Sequence, residues 1–502
     1  MLNAQRTSDM PATDATLTVA SGLSLAVVVA VIAAISPLLS FALVPGAGFH
    51  DNQRILEIFC LVLTSFSCVA LLLLKPGAKF RPLHDYRMLS FLALFFALGL
   101  ASSAIAYSPR HALLEWSNLL LLVVMSSLIA MEIRDKGSIL LDRILLVCGL
   151  GSAFYIFIEI INYIAIVNAG GQPANIIFVS GFDNYRFLNH VQTITLPLLG
   201  LFICRSDDSR KKIFAWVVTS VWWTLLYVSA GRGTFIGMLA GVGVTWIFLR
   251  KDALPWSRVM LWSALAGMAV YLLFYVLIPL TLGLQPFGFL FAVAGRTMEN
   301  PDSGRWPLWI RAWEIMLGHP WLGAGPLHFA HFGRTVQAGA HPHNWVAQIA
   351  CEWGIPAFLC LVAALALGLR KLQGVRRYLL PADRENRLTL AALLTAAVAI
   401  LVDGLVSGLI VMPTSQLWIA LYIGITWGWL ASLRSPQAEA TLRLSPVTRV
   451  FTIAGLLTLL YFLGNGLWPE IGNLKLYEEQ NLQQDIYADP ISRPRIWLGG
   501  YF

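Results

Sequence analysis

The reactive side chains of this sequence crowd into a short stretch. In AGAHPHNWVAQIACEWGIP (338–356), two histidines, an asparagine and a tryptophan stand where a polar loop gives way to a helical-looking run. A histidine at a helix start feels the positive end of the dipole, and neighbouring arginines push the same way. Both lower its pKa, so His343 is expected to be neutral and able to take a proton near neutral pH. A cap or a surface residue is the ordinary alternative, and converging groups must decide between them. Arginines are the candidates for convergence. Arg305 precedes WPLWIRAWEIMLGHP (306–320), a run with Pro307 in a first-turn position, so its guanidinium would stand beside free helix N–H groups and build an anion site. Arg232 sits between Gly231 and Gly233 in YVSAGRGTF (227–235), at a depth where a charge is costly unless it is paired or faces a wet cavity. The alternative there is a snorkelling side chain at a helix end. Arg186, in GFDNYRFLNH (181–190), could equally pair with Asp183.

These residues need a scaffold, and composition names its class. Of 502 residues 57% are hydrophobic and only 12% charged, against about 25% charged in soluble domains. The chain therefore reads as an all-α polytopic membrane protein. Apolar runs long enough to span, near 16–45, 54–74, 88–106, 112–131, 143–167, 190–204, 212–229, 233–249, 258–284, 354–369, 388–411, 414–433 and 449–467, predict about 12–13 transmembrane helices. The first run is too long for a signal-peptide core and reads as a retained span, kinked or partly re-entrant at Pro37. The last is the least secure. The six cysteines fall in or beside apolar runs, without the close pairs of a zinc or redox motif, and read as small core residues.

Most of the 35 lysines and arginines fall in alternate loops if the amino terminus is inside, which puts 168–189, the loop 285–345 and the tail 468–502 outside. The basic residues left on the outer side are arginines, Lys475 excepted. A planar guanidinium with five donors suits partly desolvated phosphate better than an ammonium does. The organisation expected is an N-terminal bundle (1–284), a catalytic loop (285–345), further spans (346–467) and an outer tail (468–502). The loop divides into a turn-rich part (294–305), a helix (306–320) and a second loop (321–344). On the helix, Trp306, Trp309, Ile310, Trp313 and Leu317 share a face, either lying in the membrane boundary or packed on the bundle. The helix start at 305 is capped by Ser303 or Gly304. The tail reads either as a frayed end or as a segment that returns to the outer face.

Metal and nucleotide motifs are missing from the outer segments. No Asp-x-Asp pair, Gly-x-Ser-x-Gly or P-loop occurs there, and Glu299 with Asp302 would make a weak cation site. Metal-free handling of a lipid-linked phosphate, with no cofactor, is the expectation. A transporter would instead place polar groups at mid-membrane; Glu57, Glu115, Glu159 and Asp403 could serve so, or simply hydrogen-bond between helices.

The segment SGRWPLWIRAWEIMLGHPWLGAGPLHF…HPHNWVAQIACEWGIPAFL (303–359), together with SAGRGTF (229–235), resembles the signature region of the O-antigen ligase and polymerase superfamily. The resemblance implies a multi-pass glycosyltransferase of the bacterial inner membrane, N-terminus cytoplasmic, with a GT-C-like fold and a periplasmic site. The donor it implies is an O-antigen glycan on undecaprenyl pyrophosphate. Carried onto matching positions, Arg232 and Arg305 bind the pyrophosphate and His343 is the base. Arg186 joins them by depth and side, and Arg311 and Asn344 complete the substrate-binding set. Three branches are open: a ligase using lipid A-core as acceptor and completing lipopolysaccharide, a polymerase using a second lipid-linked repeat, and a protein O-glycosyltransferase, which usually has a larger C-terminal extension. The compact outer loop, rich in tryptophan and arginine, favours the ligase.

Overall fold

A computed structural model describes residues 24–74, 79–80, 86–173, 179–288, 290–299, 304–336, 339–379, 383–433, 442–468, 470–483, 494–500 and 502. Its helices in the first half are α1 (Leu25–Ile35), α2 (Phe49–Leu74), α3 (Tyr86–Ile105), α4 (Pro109–Lys136), α5 (Ser138–Asn168), α6 (Tyr185–Arg205), α7 (Ser209–Ser229), α8 (Arg232–Leu249), α9 (Leu254–Leu272) and α10 (Ile278–Thr281). The second half adds α11 (Leu290–Glu299), α12 (Arg305–Gly318), α13 (Phe329–Phe332), α14 (Trp345–Trp353), α15 (Ile355–Gly374), α16 (Arg384–Asp403), α17 (Pro413–Ser432), α18 (Pro446–Leu467) and α19 (Leu474–Gln483). A two-residue antiparallel pairing of Lys79–Phe80 with Leu442–Arg443 is the one sheet among the described residues.

Ten stretches among the described residues are long and apolar enough to cross a membrane. One of them, Arg232–Thr281, is too long for a single pass, and the chain breaks it at Arg250, which has a left-handed φ of 50°, so that α8 and α9 are separate helices. Helix α17 is as long as its neighbours but carries Ser, Gln, Thr and Gly, residues tolerated because it is buried in the bundle, mainly against α4. The protein is thus an all-α polytopic membrane protein, and 449–467, the least secure span, is the 22-residue α18.

Four boundaries differ from the sequence expectation. The first run yields only an 11-residue helix and the 3-10 turn Ser36–Leu38, because Pro37 cannot continue the backbone ladder; residues 16–23 lie outside the described residues. The run 258–284 is interrupted by one π-helical turn, Leu273–Leu277. Residues 290–299, including 294–299 of the segment expected to be turn-rich, form α11. Helix α12 begins at Arg305 with Gly304 as its cap in a left-handed conformation (φ 71°), and ends at Gly318 rather than at 320. Ser303, Asp302 and residues 484–493 lie outside the described residues.

The two readings of the tryptophan stripe are separated by burial. Leu308, Ala312 and Ile315 are the buried side of α12, packed with Ala324, Phe329 and Cys351. Trp306, Ile310, Trp313 and Leu317 are 45–62% exposed and face away from the bundle, while Trp309, the fifth member of the stripe, is half-buried. The tail returns: in residues 494–500, Arg495, Ile496 and Trp497 are buried.

Candidate functional site

Four helices begin at one end of the bundle, and each start carries a residue singled out by type. Arg186 is the second residue of α6, whose cap Asn184 accepts the Arg186 N–H at 3.0 Å. Arg232 opens α8 after a sharp turn in which Ala230 takes a φ of 48°. Arg305 opens α12, and His343 immediately precedes Asn344, the cap of α14. Positive dipole ends therefore accumulate beside the guanidinium groups.

The histidine turn is fixed from both sides. Trp309 on α12 donates its indole N–H to the Pro342 carbonyl at 3.0 Å. On the other side the Trp345 amide donates to the Gly404 carbonyl at 3.0 Å and the Trp345 indole to the Leu401 carbonyl at 3.1 Å, docking α14 on the end of α16. His343 itself has a left-handed φ of 51°, an uncommon conformation for a non-glycine residue and one that histidine visits more readily than most. Its amide donates to His341 Nδ1 at 3.3 Å, and the two rings lie 4.1 Å apart. Gly408 leaves room for this turn, since a Cβ there would come within 2.5 Å of the His341 ring.

The same end of α16 holds the start of α8. Asp403 accepts from Thr193 at 2.5 Å and from Thr234 at 3.4 Å, and Thr234 also bonds the Asn189 carbonyl at 2.9 Å. Only glycine fits at 233, because a Cβ would approach Asp403 Oδ1 to 2.3 Å. Arg232 is thereby presented to solvent, on a helix start tied to α6 and α16.

Electrostatics join the pieces. The His343 pKa is lowered to about 3, first by removal from water, then by Arg305, then by Arg186. All three causes disfavour the imidazolium, so His343 stays neutral at every pH above that range and can accept a proton. His190 on α6 lies within electrostatic reach of His343, Arg186 and Arg305, and Asp403 within reach of Arg305. No ion pair joins Arg186 to Asp183, which instead accepts the His50 amide at 2.8 Å.

Other members of the expected set have different partners. Arg311 donates to the Phe332 carbonyl at 2.8 Å and to Glu314 at 2.9 Å, tying α12 to α13. Asn344 accepts the Val346 and Ala347 amides at 2.9 and 3.1 Å, so its side chain is occupied as a cap. The carboxylates that a transporter would use are bonded within the protein: Glu57 to Arg54, Glu115 to Arg495, Glu159 to the Ser180 amide and Asp403 to two threonines. Of these, the Asp403 contacts join helices, α16 to α6 and α8, whereas Glu57 pairs within α2 and Glu115 and Glu159 meet non-helical segments. Sequence reasoning did not single out Arg495, which is buried and paired with Glu352; its one signal was membership of the outer arginine set.

Below α14 lies a cavity of about 350 Å3, walled by apolar residues of α3, α4, α15, α16 and α17. It reaches Trp345 and Gln348 at one end and Lys371 and Leu430 at the other, and Glu115 and Gln416 join Gln348 as polar groups in its wall.

No curated protein matches the chain. Residues 215–362 match the family model of O-antigen ligase, a segment that runs from α7 into α15 and holds Arg232, Arg305, Arg311, His343 and Asn344, while Arg186 lies outside it. That segment makes the chain similar to the O-antigen ligase family over somewhat less than a third of its length, in a protein whose apolar helices are those of a multi-pass membrane protein.

Proposed function

We propose that the protein is the ligase: it transfers O-antigen glycan from undecaprenyl pyrophosphate to a sugar hydroxyl of lipid A-core, at the periplasmic face of the bacterial inner membrane. The observation that carries this reading is the neutral His343 beside Arg186 and Arg305, at a shared end of four helix starts. Pyrophosphate is a competent leaving group, so catalysis needs preorganised positive charge and removal of one proton. Arg186, Arg232 and Arg305 hold the pyrophosphate. The acceptor oxygen attacks the anomeric carbon, its proton passes to His343, and the bond from that carbon to phosphate oxygen breaks with its electron pair leaving on undecaprenyl pyrophosphate. A single displacement inverts the anomeric centre, and no step requires a cofactor.

The exposed tryptophan face of α12 supports an acceptor that arrives in the membrane boundary. The apolar cavity beneath α14 supports a hydrocarbon chain held below the histidine turn. Ala364→Trp, which puts a large ring into that wall, is expected to raise the KM of the lipid substrate about tenfold, equivalent to ~1.4 kcal/mol, and to leave kcat near normal. Unchanged KM would remove the cavity from substrate binding.

The electrostatics also fix a pH signature. Bound pyrophosphate offsets Arg305 and Arg186, two of the causes that lower the His343 pKa, so that pKa rises in the complex. The acid limb of kcat, which reports the complex, is expected at higher pH than that of kcat/KM, which reports the free enzyme. Arg305→Gln should shift the kcat/KM limb upward. Coincident limbs would contradict the assignment of His343 as base.

The deciding assay uses purified protein, donor on undecaprenyl pyrophosphate, and lipid A-core present or absent. Glycan on lipid A-core supports the ligase. Elongation of the donor without that acceptor identifies a polymerase, and retention of anomeric configuration overturns the single displacement.

A further inference from the structure

Arg495 is fully buried at 1% exposure, and one guanidinium reaches several elements. Its Nη2 donates to Glu352 at 2.7 Å and lies 3.6 Å from Glu115 on α4. With its amide oxygen toward the guanidinium, Gln348 accepts from both Nη atoms at 2.9 Å. Glu352 and Gln348 are one turn apart on α14, so the planar fork grips the helix whose start carries His343. Glu352 passes the grip on: its other oxygen accepts the Phe329 amide at 3.0 Å, and its backbone carbonyl accepts from Gly325 at 2.9 Å and Ser102 at 3.2 Å.

The segment that carries Arg495 is itself strapped to α2. Arg54 donates to the Arg495 and Ile496 carbonyls at 3.0 and 3.2 Å, His50 Nε2 lies 3.3 Å from both, and the Leu498 amide donates to Asp51 at 2.7 Å. Farther along, the Phe502 ring stacks on His111 at 3.9 Å and its carbonyl bonds His331 at 2.7 Å. Helix α14 is therefore held at its start by α16 and at its end by a segment from beyond residue 493. Helix α2 and the segment from 494 onward lie outside the family match at 215–362, whereas α14, which they hold, lies within it.

We propose that the returning segment is part of the catalytic architecture, with Arg495 a positioning residue that sets α14, and through it the histidine turn, against the arginine cluster. The catalytic half rests on the assignment of His343 as base; the mechanical half does not. The guanidinium touches no reacting atom in this scheme, so its loss should misplace the base while the pyrophosphate subsite on α6, α8 and α12 stays intact.

Two full-length variants test it in lipid nanodiscs. Arg495→Lys keeps the charge but loses the two-pronged grip, and Arg495→Gln with Glu352→Gln leaves no unpaired member of the closest ion pair. Amide hydrogen exchange is measured along the chain, with kcat and donor KM. The expected result in both is exchange over 339–353 at least about tenfold faster with α6 and α8 unchanged, kcat at least about tenfold lower and KM within about twofold. Unchanged exchange in 339–353 overturns the proposal, as does faster exchange throughout the bundle or failure of both variants to fold, each of which marks a general structural role. Normal kcat despite local loosening, or a rise in KM alone, overturns the link to catalysis. If the unaltered protein transfers no glycan, the ligase reading fails, and the exchange pattern still decides whether Arg495 holds α14.

Discussion

Replacing His343 with alanine is expected to lower kcat by ~10²–10⁴-fold, the usual worth of a positioned general base, while donor affinity stays close to that of the unaltered protein. The reason is the division of labour proposed above between the arginines and the histidine. The guanidinium groups sit on the starts of α6, α8 and α12, and the histidine on the loop before α14, so removing the imidazole leaves the anion subsite in place. Single-turnover transfer and donor binding, measured on the same preparation, separate the two effects. The left-handed φ of His343 suits alanine less well, so a matched melting curve belongs with the kinetics. Persistent transfer in a folded His343→Ala variant would require another histidine as base. His341 and His331 are the candidates, but His341 accepts the His343 amide, and His331 bonds Phe502 and stacks on Tyr107 at 4.1 Å. Both are occupied as structural groups.

For Arg305→Lys the expected loss in kcat/KM is ~10²-fold, the scale on which one preorganised donor to a developing charge acts. Lysine preserves the charge, and a test of charge alone would leave the rate near normal. What it removes is the planar pair of donors that can grip phosphate in two-point fashion from the first residue of α12. Steady-state kinetics with the lipid-linked donor distinguish the cases, and activity within about twofold of normal would reduce Arg305 to a diffuse electrostatic contribution.

Arg232, Arg305 and His343 could be singled out from sequence because each stands at a local signal: a glycine pair, a first-turn proline, a capping asparagine. Helix starts are local events, and the chain writes them in adjacent residues. Partners across the fold are not written that way. Arg311 and Asn344 have the same residue types as substrate-binding groups, and what occupies them in the structure is a carbonyl on α13 and two amides on α14. Arg495 meets Glu352 across 143 positions of sequence, so no spacing rule could pair them. Among the spans, α1 fell short because hydropathy counts residues and not the backbone geometry at Pro37, and the α12 stripe required knowledge of which face the neighbouring loop would cover. Hydrophobic pattern conveys length and face; it does not identify the neighbour.

The gathering of four helix starts has a further consequence for turnover. Cations that stabilise charge leaving with the pyrophosphate do not relax once the bond has broken, and the departing undecaprenyl pyrophosphate bears more negative charge than the donor did. On the proposed mechanism the spent carrier would then be a tighter ligand for Arg186, Arg232 and Arg305 than fresh donor is. Successive cycles are expected to slow through product inhibition, with a rapid first turnover followed by a release-limited steady rate. Hydrolysis of the released lipid pyrophosphate by an added phosphatase should lift that rate.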